Sequence, residues 1–464
     1  MSSDPFGLRP LFRNAADATA PIASSLADLL DQGAPADLDP AAMAVFLRTG
    51  FFVGDDTPFA AIRAVAPPVT ERRRTALAIS RAAAEDAFGD LFSAAIQRAL
   101  RCTEAPTAVP LSGGHDSRHI LFALLEARQR PACCVTVYPY AAADDDDLAI
   151  AHRVAEAVSV RHVLIPQRTD RVDVEREKNV LTHYCAEDHA QFLPLRPYFE
   201  EVHRHVFDGL GGDVLAQSRR LNPTLHVLFD AGRFEAVANH ILGDEGAIEP
   251  ALEHVLSVGA LAMFPRDLAV SRIAEEAARH ADAPNPIASF YFFTQVRREI
   301  ALAPYALYGG TDVSTPFTDP DVAEFLLALP YGVVADRQFH TSVLCRRYPR
   351  YAGIPFAARH GGPTHWATGR RDAAQLLTFV TRSRSALVNL PAIAARCLRT
   401  IANGETTQLG FLPRVVHLLQ VEHLAGTPAA RVPEAVLNGE RVTAARATRS
   451  RPARAARSLA ADRA

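Results

Sequence analysis

The chain has 464 residues, of which 48% are hydrophobic and 22% charged. This is the composition of an ordinary globular protein with room for two or three domains. A formal net charge of −3 argues against nucleic acid or an anionic membrane as a partner. No apolar run approaches the roughly 20 residues of a membrane span. The six cysteines form no CxxC pair, and no signal peptide is recognisable, so we predict a reduced, cytoplasmic protein without a structural zinc site.

The first hundred residues predict short elements followed by a long helix. Residues 1–70 mix apolar pieces with turn residues. Within them, residues 37–52 predict a helix with a capping aspartate and a proline near its first turn. An Ala- and Arg-rich stretch predicts a second helix over about residues 71–100, with its apolar side chains on one face.

From Ala108 onward, apolar strand patterns alternate with helical ones. Strands are predicted at AVPL, CCVTVYP, RHVLIP and RHVF, and helices lie between them. Such alternation is typical of a parallel, doubly wound α/β sheet. Beyond about residue 220 the pattern is mostly helical. The Ala/Arg-rich residues 442–464 predict a disordered tail.

The segment VPLSGGHDSRHILFAL, residues 109–124, carries the chemistry. Its middle, residues 112–117, is a glycine-rich loop between a strand and a helix, which is a favourable place to bind an anion. It lacks the GK[ST] ending of a Walker A loop and is not a GxGxxG turn. An aspartate inside a phosphate-binding loop is repulsive unless a cation intervenes, so Asp116 predicts Mg²⁺ shared with phosphate oxygens.

The stretch LSGGHDSR resembles the pyrophosphate-binding loop of N-type ATP pyrophosphatases. It is most similar to the synthetase domain of asparagine synthetases and their relatives, the β-lactam synthetases and lasso-peptide cyclases. DDDDLAIAHRVAEAV, DGLGGDVL and STPFTDPDVAEFLLALP resemble later motifs of that domain, in the same order. The resemblance implies an adenine nucleotide alpha hydrolase-like sheet with a helical C-terminal part.

The same comparison suggests how the domains are divided. Residues 1–70 resemble a small remnant of the family's glutaminase domain. Residues 71–400 are then the synthetase domain, 401–441 a helical extension and 442–464 the tail. Because the chain begins Met-Ser-Ser where the family has a nucleophilic cysteine, we expect no glutaminase activity.

The resemblance also implies functional residues. Those expected around the ATP phosphates are Leu111, Ser112, Gly113, Gly114, Asp116 and Ser117. Val137 would line the adenine pocket, and the turn after the fourth strand would contact the nucleotide through Asp208, Gly209 and Gly211. Asp116 and Asp213 would hold Mg²⁺.

Several family positions are not matched. Leu210 stands where the family has glutamate or tyrosine. Asp312 stands in place of the glutamate expected to be catalytic, and Ser314 in place of an arginine. The family's catalytic lysine falls near Arg359 and His360, which are the candidates to supply its positive charge.

The resemblance implies an ATP- and Mg²⁺-dependent ligase that activates a carboxylate as an acyl-adenylate. The carboxylate would belong to a small molecule or a peptide. The nitrogen would come from ammonia or an amine, with a partner glutaminase as one source. The alternative is a catalytically degenerate relative that binds nucleotide as a scaffold or partner subunit. A tRNA-modifying enzyme is disfavoured, since neither thiolation cysteines nor a basic face is evident.

Overall fold

A computed structural model describes residues 4–17, 19–67, 75–138, 146–202, 204–217, 220–244, 248–357, 369–404 and 409–426. The predicted α/β architecture is confirmed by a five-stranded parallel sheet in the order β5-β4-β3-β6-β7, with a separate antiparallel pair, β1-β2. The strands are β1 (Phe12–Asn14), β2 (Ile62–Ala64), β3 (Thr107–Pro110), β4 (Cys133–Tyr138), β5 (His162–Pro166), β6 (His205–Phe207) and β7 (Val313–Ser314).

Helices make up most of the remainder. The first ten are α1 (Leu26–Asp31), α2 (Pro40–Thr49), α3 (Arg81–Leu100), α4 (Asp116–Glu126), α5 (Asp146–Ala157), α6 (Arg171–Leu181), α7 (Leu195–Val202), α8 (Gly212–Leu215), α9 (Pro223–Asp230) and α10 (Phe234–Asp244). The others are α11 (Ile248–Val255), α12 (Val258–Met263), α13 (Arg266–Ala278), α14 (Pro286–Tyr291), α15 (Pro320–Leu327), α16 (Tyr331–Val334), α17 (Phe339–Arg347), α18 (Gly369–Thr381), α19 (Leu390–Asn403) and α20 (Leu412–Leu424). Two π-helical segments, Phe292–Ile300 and Ala303–Leu307, follow α14.

The two early helices show how local sequence sets helix ends. At the start of α2, the Asp39 carboxylate accepts hydrogen bonds from the amides of Ala41 and Ala42, as the predicted capping aspartate should. Gly50, at φ +81°, ends the helix a few residues before the predicted boundary at residue 52. The next helix, α3, begins only at Arg81, about ten residues later than predicted. Its start is fixed by Ser80, whose hydroxyl accepts the Ala83 amide, whereas residues 75–79 are not helical.

Apolar side chains cover both faces of the parallel sheet. The adjacent residues Cys133 and Cys134 are fully buried on opposite sides of β4. Cys134 packs in the large core that includes α4 and α5, and Cys133 packs with Leu195 and Phe199 of α7. This two-sided burial is the usual state of a parallel sheet. When both faces of such a sheet are covered, ligands bind at the carboxyl ends of its strands.

The N-terminal segment is bound tightly to the helical part of the chain. Arg297 donates to the carbonyl oxygens of Gly54 and Val65 at 3.1 and 2.7 Å. Arg298 donates to the carbonyl oxygen of Asp56 at 2.5 Å, and Arg272 pairs with its carboxylate at 2.8 Å. Residues 4–67 therefore share one core with the helices rather than forming a loosely attached unit. No helix in the described part of the chain is long and apolar enough to cross a lipid bilayer.

Candidate nucleotide site

The glycine-rich loop lies between the carboxyl end of β3 and the amino end of α4, as predicted. Leu111 extends the sheet by one hydrogen bond, from its amide to the Val135 carbonyl oxygen at 2.8 Å. The two serines brace the loop: Ser117 Oγ accepts the Ser112 amide, and Ser112 Oγ accepts the Gly114 amide, both at 3.2 Å. The serine hydroxyls thus hold the loop in shape before any ligand arrives.

Gly113 occupies a position where no side chain fits. A Cβ there would lie 2.8 Å from the Ala357 Cβ, closer than van der Waals contact allows. The Gly113 amide donates to Asp147 Oδ1 at 3.0 Å. A carboxylate oxygen thus makes the contact with the loop amide that a phosphate oxygen would make, so the loop fits an anionic ligand.

Arg118 ties the glycine-rich loop to a distant segment. It is 1% exposed, and its guanidinium donates to the carbonyl oxygens of Gly113, Ile354 and Pro355. It also lies over the ring of Phe356, at 4.3 Å. Burial lowers its pKa to about 10, which leaves it charged at neutral pH. Although Arg118 belongs to the SGGHDSR motif, its role could not be read from the sequence.

The turn after β6, the Asp/Gly turn (residues 208–212), faces this loop. Asp208 shapes the turn by accepting the Leu210 amide at 2.9 Å, and its other oxygen accepts the Tyr308 hydroxyl at 2.8 Å. Burial is the main cause that raises the Asp208 pKa to about 6, and the Asp116 charge adds to it. Gly211 has φ +85°, a conformation that favours glycine. Leu210 is buried in the core and supplies no polar group to the site.

Asp116 and the Asp/Gly turn are in direct contact. A Cβ at Gly209 would lie 2.8 Å from the Asp116 Cβ, and one at Gly212 would lie 2.5 Å from the Asp116 carboxyl carbon. Since consecutive Cα atoms are about 3.8 Å apart, the Cα of Asp213 lies within about 8 Å of that carbon. The backbone of Asp213 therefore lies in the same corner of the site as the Asp116 carboxylate.

The donor set in this corner suits Mg²⁺ chemically, because both candidate ligands are carboxylates. In the described ranges, no group of three or more His, Cys, Asp or Glu side chains could hold a metal ion. Mg²⁺ usually takes only one or two protein carboxylates and completes its shell with phosphate oxygens and water. The corner thus fits a metal that arrives with a nucleotide.

Val137 and Asp312 lie at opposite ends of the sheet. Val137 lies near the carboxyl end of β4, half-buried against the apolar cluster around Tyr308, on the same edge as the glycine-rich loop. Asp312 precedes β7, and its carbonyl oxygen accepts the Val206 amide. Because β7 runs parallel to β6, Asp312 lies at the amino ends of the strands and is exposed. The structure does not bring it to the loop.

Among the described residues, none at the positions where the family has its arginine and lysine supplies a positive charge to the site. Ser314, where the family has arginine, bonds through its hydroxyl to His205 Nε2 at 2.8 Å. Arg359 and His360 lie outside the described residues. Lys178, the only lysine, is fully buried on α6 and donates to two backbone carbonyl oxygens at 2.6 and 2.8 Å. Its ammonium group therefore stabilises the turn that follows α6, through the carbonyl oxygens of Ala186 and Glu187.

Comparison with known families agrees with this geometry. A family model described as "Asparagine synthase" matches residues 87–338, more than half of the chain. No curated protein matches the chain. The matched region contains all five parallel strands, the glycine-rich loop and the Asp/Gly turn.

Proposed function

Because the chain belongs to the asparagine synthase family, we propose that it is an ATP- and Mg²⁺-dependent amide ligase that forms AMP. A substrate carboxylate oxygen attacks the α-phosphorus of ATP, and the bond to pyrophosphate breaks. Ammonia or an amine then attacks the carbonyl carbon of the acyl-adenylate, releases AMP and loses a proton to give the amide.

The observation that carries this proposal is the contact between the glycine-rich loop and the Asp/Gly turn at the carboxyl ends of β3 and β6. Ligands of open α/β sheets bind in the crevice beyond such strand ends. The loop amides and the serines would hold the pyrophosphate, since the Gly113 amide already binds a carboxylate oxygen. Val137 would lie against the adenine, and Gly209 and Gly211 would let the nucleotide approach the backbone.

Asp116 and Asp213 are the residues that would hold Mg²⁺. The ion would offset the negative charge that builds up on the leaving pyrophosphate. Asp116 lies in the first turn of α4, where the helix dipole favours negative charge, and Asp213 would supply the second carboxylate.

We infer that the nitrogen donor is ammonia or an amine supplied from outside the chain. The first cysteine is Cys102, so the region that resembles a glutaminase remnant contains no thiol nucleophile. The described part of that region, residues 4–17 and 19–67, contributes buried carbonyl oxygens and apolar side chains to the common core. A partner glutaminase or an amine substrate would fill this role.

A second candidate function is nucleotide binding without catalysis. It is favoured by the burial of Lys178, the chain's only lysine, whose ammonium donates to backbone carbonyl oxygens and is not available to a nucleotide. Calorimetry with ATP and Mg²⁺ would then show binding, whereas no carboxylate would release pyrophosphate.

Pyrophosphate release with a panel of carboxylates, aspartate among them, tests the first proposal. Asp116→Asn should lower the rate at least about 100-fold, equivalent to losing about 3 kcal/mol of transition-state stabilisation. Asp321→Asn is the matched control, because it removes another acid from the first turn of a helix, α15, where the carboxylate is exposed and pairs with Arg98. Equal rates in the wild type and the Asp116 variant would contradict the proposal.

A further inference from the structure

Two buried histidines lie behind Asp116. His119 of α4 and His340 of α17 are both fully buried, and His119 Nδ1 lies 3.0 Å from His340 Nε2. Aromatic rings enclose the pair: Phe92 stacks on His119 at 3.9 Å, and Phe88 meets both imidazoles edge-on. The pair joins α17 to the helix that begins with Asp116, across more than 200 residues of sequence.

The second nitrogen of His340 lies close to the Asp116 carboxylate. His340 Nδ1 is buried and makes no hydrogen bond within the described part of the chain, and it lies 3.4 Å from Asp116 Oδ1. The same oxygen accepts the Gln217 side-chain amide at 2.8 Å. The Asp116 side chain is only 18% exposed, so its direction is set by these protein neighbours.

The 3.0 Å contact between His119 Nδ1 and His340 Nε2 requires one of these two nitrogens to donate and the other to accept. One proton is therefore shared along the contact between the rings, and two tautomeric arrangements are possible.

The surroundings favour one of these arrangements. If His119 Nδ1 donates to His340 Nε2, then His340 Nδ1 carries a proton and donates toward Asp116. The reverse arrangement points the bare lone pair of His340 Nδ1 at a carboxylate oxygen. It also protonates His119 Nε2, which is buried without a hydrogen-bond partner among the described residues. Burying an unpaired donor costs about 1–3 kcal/mol, so the donating arrangement is the stable one.

We propose that the His119–His340 pair orients the Asp116 carboxylate for Mg²⁺, with His340 donating to Asp116 and His119 fixing the tautomer of His340. Both are positioning residues, since neither touches the nucleotide or the metal. The inference rests on the proposed function, in which Asp116 is a metal ligand. Partners of this kind beyond the metal ligands commonly change metal affinity 10- to 100-fold.

Two substitutions at position 340 separate orientation from simple packing. In His340→Asn the amide nitrogen reaches about where Nδ1 lies and can still donate to Asp116. In His340→Gln the amide nitrogen lies near the position of Nε2, so the donor to Asp116 is lost. His417→Gln is the matched control, because His417 is equally buried but bonds through Nε2 to the Tyr184 carbonyl oxygen.

The readout is Mn²⁺ affinity in the presence of a non-hydrolysable ATP analogue, measured by electron paramagnetic resonance of the free ion. We expect His340→Gln to weaken Mn²⁺ binding about tenfold or more, and His340→Asn and His417→Gln to stay close to wild type. His119→Phe should also weaken Mn²⁺ binding, although His119 does not contact Asp116. Melting temperatures of the metal-free variants report any loss of folding separately.

Wild-type Mn²⁺ affinity in His340→Gln would overturn the inference, as would equal losses in the Asn and Gln variants. If His340→Gln does not fold, His119→Phe decides the question by the same measurement. Absence of Mn²⁺ binding in the wild type would instead refute Asp116 as a metal ligand, and with it the proposed function.

Discussion

Replacing Asp208 by asparagine should stabilise the ligand-free protein at pH 7. Burial is the main cause that raises the Asp208 pKa from 3.8 to about 6. The folded state therefore binds a proton more tightly than the unfolded state, and the free energy of unfolding falls as pH rises from about 4 to 6. A shift of about two units corresponds to about 3 kcal/mol, which is the upper limit of what the charged carboxylate costs at pH 7.

Asparagine keeps the shape and the hydrogen bonds of the position. Its carbonyl oxygen can accept the Leu210 amide, and its amide can donate to the Tyr308 oxygen. The assay is thermal unfolding of both proteins at pH 4 and pH 7, without nucleotide or metal. The variant should unfold at a higher temperature at pH 7 and at nearly the same temperature at pH 4, where the wild-type carboxyl is also neutral.

Tyr308→Phe provides the opposite perturbation. The Tyr308 hydroxyl lowers the pKa of Asp208 by donating to the charged form, so its removal should destabilise the protein more at pH 7 than at pH 4. The reasoning is refuted if Asp208→Asn gives no stabilisation at pH 7, or if the same gain persists at pH 4.

Three further predictions concern the glycine-rich loop and its contacts. Asp147→Ala removes the carboxylate that occupies a loop amide and should tighten ATP binding up to about tenfold in calorimetry; unchanged or weaker binding would count against competition at that amide. Gly212→Ala places a methyl group 2.5 Å from the Asp116 carboxyl carbon and should abolish pyrophosphate release. Gly243→Ala, with nothing within 4 Å, should leave that rate unchanged, and equal rates in both variants would show that the contact is unimportant. Arg118→Met leaves three carbonyl oxygens without their donor and should lower the free energy of unfolding by at least about 3 kcal/mol in urea; a loss below 1 kcal/mol would mean that solvent replaces the guanidinium.

The sequence predicts the glycine-rich loop well, because every part of its signal is local. A buried strand, glycines that permit close approach and an amphipathic helix lie within 16 residues, and the structure places them in that order. Four of the five parallel strands follow from apolar runs of the same kind. The fifth, β7, has two residues, too few for any pattern to show.

Contacts between distant parts of the chain could not be predicted. His340 is 224 residues from Asp116, and no periodicity or spacing connects them. Tyr308 and Asp208 are 100 residues apart and meet only because the π-helical segments return to the sheet. The position of Asp312 failed to match its expected role for a related reason: sequence similarity aligns a motif but does not say which end of a strand it occupies.

The arginines that hold residues 54–65 show which part of the N-terminal segment the helical region needs. Arg297 is buried, and it donates to the carbonyl oxygens of Gly54 and Val65 and to the Asp55 carboxylate, all in the N-terminal segment. Deleting that segment would leave the Arg297 guanidinium group without these acceptors in the protein interior, where an unpaired charge is severely destabilising. Residues 54–65 are therefore a structural requirement of the helical region against which they pack, whatever activity the site has.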